Sequence, residues 1–451
     1  MYSISLVSGP VPVVLLLCGV GALMWLISGS RRHVLHTGPA VLTVTGAAVA
    51  AVRISTEGVW NIWGAPLPVT LYVWAWLAVT GAVLAVGRSK RTPRDRRRAG
   101  PVARGRARGQ LGAAAAGLAC VLAAASLTNQ YFGEYPTLGA LLGHPKAPIS
   151  ALEAPQPAGP ATGASADPTP SPPVRESTWT PPADMPMAGR VVSAQIPGVL
   201  SKLPASEAYL YLPPAYQLQN APNLPVLVLV HGLPGGSRDW VASGQINLVM
   251  DQYAAAHKGL APVVVMPDAS GNHAGDPPLC LDSKLGKSAT YLAVDVPAWV
   301  KSSLAAGRGG ARSWAIAGFS YGGTCALQLG VNYPDTYPTF LDISGEDQPT
   351  INGGRSALVQ KYFDGDGAAF ARQNAVDVLK KGRFPGSAGV VTVGADDSFY
   401  RPQGITVYNA AKATGMDIQL QQVPGGHTWQ AWSAGLQNNL DWLMRRYGTV
   451  P

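Results

Sequence analysis

The chain divides into two halves by the pattern of its apolar and polar positions. Residues 1–30 carry no charged side chain, and uncharged stretches recur at 34–52, 58–87 and 109–133. Each supplies the roughly 20 residues that a helix needs to cross the hydrocarbon of a bilayer. The first and third are rich in Leu, Val and Trp, the fourth is Ala-rich, and the second is the least apolar. After Arg190 the rhythm changes to short β-rich runs separated by helical stretches. Strands are predicted at 208–212, 226–230, 263–266, 314–317, 340–343, 390–393 and 418–423. Helices are predicted between them at 242–257, 293–306, 321–331, 368–381, 403–414 and 430–446. Several of the strands are unbroken Val/Leu/Ile runs, the pattern of strands covered on both faces. Strands alternating with helices predict an α/β unit built on a mostly parallel sheet.

Between the halves, twelve prolines fall between Pro145 and Pro186, spaced mainly by Ala, Ser, Thr and Gly. That composition predicts an extended, semi-stiff spacer. Three regions result: 1–133 with about four transmembrane helices, 134–190 as linker, and 191–451 as an α/β domain.

Only 13% of the 451 residues are charged, against about 25% in soluble domains. The net charge of +9 is local. Residues 88–108 hold ten Arg or Lys and one acid, Asp95, which leaves 34 − 10 = 24 basic and 25 − 1 = 24 acidic groups elsewhere. Together with Arg31 and Arg32, this run places the loops between helices one and two and between three and four in the cytoplasm. The N-terminus and everything after residue 133 then lie outside, as a multi-pass protein of the cell membrane with an extracellular domain. The run's Gly and Ala spacing and lack of aromatics argue against a nucleic-acid arm. The opening Met-Tyr-Ser-Ile-Ser lacks the positive start of a signal peptide, so the first segment reads as retained.

The motif with the most chemical content is Gly318-Phe319-Ser320-Tyr321-Gly322, followed by Gly323. It sits between a predicted strand and a predicted helix, the context of a G-x-S-x-G nucleophile elbow. A serine hydroxyl needs a base, and the base needs an acid to orient it. His427, in Pro424-Gly425-Gly426-His427-Thr428-Trp429, follows the last strand and is the expected base. His257 and His273 read as surface residues, and His231, ending a buried strand, as structural. The acid is expected at Asp397, with Asp396 as the alternative, after the strand at 390–393. The order Ser, Asp, His is that of α/β-hydrolases. The Gly-rich loop after His231 and the residue after Ser320 suggest Leu233 and Tyr321 as backbone oxyanion donors.

These residues, His231-Gly232, Gly318 to Gly323, Gly394 with Asp397, and Pro424 to Trp429, resemble the putative-esterase family. It includes esterase D, feruloyl esterase modules and the antigen 85 mycolyltransferases. The resemblance covers roughly 195–448 and implies an α/β-hydrolase fold, a serine acyl-enzyme and no cofactor. Asp near the acid position, where the mycolyltransferases have Glu, and the polytopic anchor set this chain apart from them. Its Arg/Gly/Ala/Pro usage is similar to that of high-GC actinobacteria.

Cys18 and Cys120 fall in membrane segments and read as packing residues. Cys280 and Cys325 are expected to form a disulfide in an oxidising exterior, and would be unpaired core residues elsewhere. Two cysteines without neighbouring His do not make a metal site. Trp240, Tyr321, Trp429 and Trp432 are candidates to line the substrate pocket. Asp282, Asp342 and Glu346 are candidates to give it negative charge, and the stretches 269–291 and 346–367 to cover it. The expected substrates are acyl or aminoacyl esters of envelope lipids, such as aminoacyl-phosphatidylglycerol. Acyl transfer to an envelope sugar or lipid, and a non-catalytic envelope scaffold, are the alternatives.

Overall fold

The computed structural model describes residues 3–28, 33–60, 65–90, 103–143, 148–152, 172–271 and 276–451. Arg31 and Arg32, residues 91–98 of the basic run, linker residues 153–171 and His273 lie outside the described residues. The chain forms two compact units, 1–144 and 145–451.

The first unit contains α1 (Pro10–Ile27), α2 (Gly38–Arg53), α3 (Val69–Lys90) and α4 (Ala103–Phe132). Four segments, Pro10–Ile27, His33–Val59, Val69–Ser89 and Gly109–Phe132, are long and apolar enough to cross a membrane. Val13, Leu17, Met24, Val44, Leu111 and Leu118 turn outward. Small residues let the helices close up: Gly19 abuts Ala123, Gly81 abuts Cys120, and Gly117 abuts Ala85. The Thr45 and Thr80 hydroxyls hydrogen-bond at 2.8 Å between α2 and α3. The second segment runs beyond its expected end, because Arg53 pairs with Glu57 at 3.1 Å and Glu57 also accepts from the Tyr72 hydroxyl. At one end, Leu138 N–H donates to Ile4 O and Leu6 N–H to Pro136 O. The segment before α1 and the segment after α4 are therefore neighbours.

The second unit is built on a sheet of β1 (Ile149–Ala151), β2 (Arg190–Ala194), β3 (Ala208–Leu212), β4 (Val226–Val230), β5 (Val263–Met266), β6 (Trp314–Phe319), β7 (Thr339–Ile343), β8 (Ala388–Gly394) and β9 (Asp417–Val423). Its strand order is β1-β2-β3-β5-β4-β6-β7-β8-β9. From β5 to β9 all pairings are parallel, and β3 is antiparallel to both its neighbours. β4, β6, β7 and β8 are buried along their whole length, as the unbroken apolar runs of β4 and β6 require. This is an α/β-hydrolase sheet.

The linker differs from the expected spacer. β1 lies within it and pairs with β2, while Val174, Trp179 and Met185 pack against the core. Trp179 donates its indole N–H to Lys258 O at 3.0 Å. An aromatic residue with a nearby apolar surface docks even in a Pro-rich stretch, so the compact unit begins well before residue 191.

Candidate active site

Parallel strands bring their C-terminal ends to one edge, and loops leaving that edge converge. Ser320 follows β6, Asp397 follows β8 and His427 follows β9. The Ser320 hydroxyl lies 2.8 Å from His427 Nε2, and His427 Nδ1 lies 3.0 Å from Asp397 Oδ2. Asp397 is 5% exposed, and its Oδ1 accepts the Tyr400 N–H at 3.0 Å. Asp396, the alternative acid, is exposed and makes no such contact with His427.

The elbow is shaped by close backbone approach. A Cβ on Gly318 would run into the backbone of Gly322, and one on Gly322 into the carbonyls of Val230 and His231. Ser320 sits at φ 55°, ψ −122°, with its N–H donating to Ile343 O at 2.8 Å. Its own amide is thus occupied, and helix α5 (Tyr321–Asn332) begins at the next residue. Among the described residues neither Tyr321 N–H nor Leu233 N–H donates a hydrogen bond. Contact of Gly322 with the end of β4 brings the loop carrying Leu233 against the elbow. His231 is fully buried, 3.7 Å from Asp268, in keeping with a structural role.

His427 is held from two sides. Tyr400 stacks flat on it, and Trp432 meets it edge-on with centroids 5.1 Å apart. Tyr400, at the start of α6 (Tyr400–Lys412), was not a sequence candidate. The one local signal is its position three residues after Asp397, which lets the carboxylate cap its N–H.

Trp240 and Trp429, expected to line the substrate pocket, are both largely buried. They are 1% and 4% exposed and pack with Phe319 and Trp432 into an aromatic layer beneath the triad. The Trp240 indole N–H is occupied by Val230 O. Trp240 lies in the helical turn Asp239–Ala242 and Trp429 opens the helix Trp429–Gln437, and each buries a large apolar ring there.

Two of the three acids expected to charge the site are engaged elsewhere or enclosed. Asp282 spends both carboxylate oxygens on Thr290, at 2.9 Å to its N–H and 2.5 Å to its hydroxyl. Asp342 is fully buried under the elbow, where burial pushes its carboxyl up to about 7 despite a hydrogen bond from Gly345 N–H. Glu346 remains at the site. Its N–H donates to the Thr324 hydroxyl, one turn beyond Ser320. Burial, helped by the charge of Asp347, pushes its carboxyl up to about 7 against a hydrogen bond from Thr350. Burial, then the charges of Glu346 and Asp397, raise the Tyr400 phenol well above its usual range, which puts Glu346 within electrostatic reach of the triad.

Cys280 and Cys325 form a disulfide with Cα atoms 5.4 Å apart, tying the loop after β5 to α5. The two stretches expected to cover the site pack on one another. The second contains a helix, Gly354–Phe363, whose Tyr362 hydroxyl donates to Pro277 O. Leu358, Tyr362 and Phe370 form an apolar cluster with Leu279 and Leu281, and Leu233 and Tyr321 lean on it. Cys120 is buried between the apolar helices as expected, whereas Cys18 faces outward. Among the described residues no group of His, Cys, Asp or Glu is arranged to hold a metal ion.

A family model described as putative esterase matches residues 205–443. An uncharacterized protein of Corynebacterium glutamicum is 30% identical over 421 residues, 90% of either chain. Among solved structures, a ferulic acid esterase is 23% identical with a TM-score of 0.49, covering 58% of this chain and 98% of its own. An S-formylglutathione hydrolase from Agrobacterium tumefaciens is 21% identical with a TM-score of 0.49, over 59% of this chain and 98% of its own.

Proposed function

The chain belongs to the putative-esterase family of carboxylic ester hydrolases, and from that premise we propose that it is a membrane-anchored, extracellular serine esterase acting on acyl or aminoacyl esters of envelope lipids. The observation that carries the reading is the unbroken line from Ser320 through His427 to Asp397, at 2.8 and 3.0 Å. His427 Nε2 takes the Ser320 proton as the oxygen attacks the ester carbonyl. Asp397 holds the ring through Nδ1–H and stabilises the imidazolium. Tyr321 and Leu233 N–H groups meet the developing oxyanion. The protonated base then hands its proton to the leaving alcohol, and water, activated by His427, releases the acid from Ser320.

Four apolar helices where one would anchor the enzyme favour a substrate in or beside the bilayer. Glu346 favours an acyl group that carries an ammonium, as in aminoacyl-phosphatidylglycerol. A buried carboxyl held near 7 gains its charge most readily when a cation arrives beside it.

The test exposes total envelope lipids to the purified protein and to Ser320→Ala, with every ester-linked class followed by mass spectrometry. Loss of an aminoacyl ester with the wild type alone supports the proposal. Appearance of the acyl group on a new acceptor replaces hydrolysis with transfer. Identical lipid profiles from the two proteins overturn a lipid substrate.

A further inference from the structure

A large concavity in the second unit lies at the opposite end of the sheet from Ser320. It has a volume of about 780 Å3 and lies where β6, β7 and β8 begin. Since β6 is six residues long, at about 3.3 Å per residue the cavity is about 20 Å from the nucleophile. Four guanidinium groups line it: Arg312 before β6, Arg383 before β8, and Arg445 and Arg446 on α7 (Leu440–Tyr447). Asp335 is the one acid in its lining. Outside residues 88–108 the chain balances 24 bases with 24 acids, so four arginines against one aspartate is a local excess.

Among the described residues none of the four is paired with a carboxylate, although Arg445 lies within electrostatic reach of Tyr253. Arg53, Arg355 and Arg372 do form such ion pairs. Arg383 reaches only the Ala413 carbonyl, at 3.5 Å. The Nε of Arg446 is buried and has no acceptor among the described residues. A buried donor without an acceptor is a standing cost to the fold, which an arriving anion would relieve.

We propose that this cavity binds a phosphate-bearing anion, independently of the chemistry at Ser320. A guanidinium is always charged and presents paired donors that match phosphate oxygens two at a time. The volume lies within the range of small-molecule sites and exceeds the need of a bare phosphate. Trp442 supplies an aromatic wall for the rest of the ligand. The phosphate belongs either to a lipid headgroup or to a soluble compound.

Isothermal titration of the full-length protein in detergent separates these sources. The probes are inorganic pyrophosphate and dihexanoyl-phosphatidylglycerol, with dihexanoyl-phosphatidylcholine as the zwitterionic control. Arg312, Arg383 and Arg445 are exposed, so the combined Arg312→Gln, Arg383→Gln, Arg445→Gln variant is expected to fold. Hydrolysis of p-nitrophenyl butyrate at the wild-type rate verifies this. If that variant is damaged, Arg383→Gln alone serves. One-to-one binding of an anionic probe, weakened at least tenfold in the variant and by 0.5 M NaCl, supports the site. The tighter probe names the source. Absence of binding by either anionic probe, or equal binding by the variant, overturns the proposal.

Discussion

The phenol ring of Tyr400 lies flat on the imidazole of His427, with centroids 3.8 Å apart and planes inclined by 11°. The ring that must carry a positive charge during turnover thus rests on a π face. Tyr400→Phe keeps that face and is expected to retain activity within about threefold. Tyr400→Ala removes it, and loss of an aromatic pair worth about 0.5–1.5 kcal/mol lowers kcat by up to about tenfold. Comparing kcat for the two variants on p-nitrophenyl butyrate checks this.

The identity of the triad acid is directly testable. Asp397→Asn is expected to lower kcat by about 10⁴, and Asp396→Asn to leave it unchanged. Ser320→Ala and His427→Ala should each lower it by about 10⁴–10⁶. Labelling with a fluorophosphonate should be lost in Ser320→Ala and persist in Asp396→Asn.

Glu346 gives the proposed substrate preference a pH signature. Its carboxyl is raised by burial to about 7, so its charge grows as pH rises through that value. KM for an aminoacyl ester should fall between pH 6 and 7.5 in the wild type and stay flat in Glu346→Gln. An uncharged acyl ester should show neither effect. A flat KM for the aminoacyl ester in the wild type would remove Glu346 from substrate recognition.

Asp342 makes a second pH prediction, this time for stability. Its folded carboxyl is raised from the ordinary 3.8 to about 7. The native state therefore holds its proton more tightly than the unfolded chain between those values. Stability from this group is complete below about 4, declines as pH rises to about 7, and is lost above it. Asp342→Asn should flatten the fall in Tm measured from pH 5 to 8.

The Cys280–Cys325 disulfide closes 45 residues of chain. Loop-closure entropy puts its contribution at about 4 kcal/mol, and the paired Cys280→Ala, Cys325→Ala variant should melt several degrees lower. Because Cys325 lies on the helix that follows Ser320, activity should fall at a lower temperature in the same variant.

The strands at 208–212, 226–230 and 263–266 match β3, β4 and β5 end for end, because each is an apolar run bounded by turn residues. β2 escaped notice because its exposed Arg190 and half-buried Ser193 interrupt the apolar pattern. β1 was hidden in a stretch whose composition reads as spacer. Ser320, Asp397 and His427 were legible because strand ends fix their positions. Sequence could not tell how deeply a tryptophan near the elbow would be buried, and Trp240 and Trp429 pack into an aromatic layer with Phe319. Tyr400 depended on how α6 folds back over the β9 loop. The four arginines of the cavity come from three separate segments that no spacing rule connects.

Ser320 occupies a left-handed backbone conformation that is costly for any residue with a Cβ, on the order of 1–3 kcal/mol. The fold is therefore working against its own nucleophile, and the resting enzyme would be more comfortable with a residue that cannot react. Ser320→Gly should melt at a higher temperature than the wild type while losing turnover, and Ser320→Ala should lose turnover without that gain. Ser320 is therefore a position at which turnover and stability are expected to trade against each other.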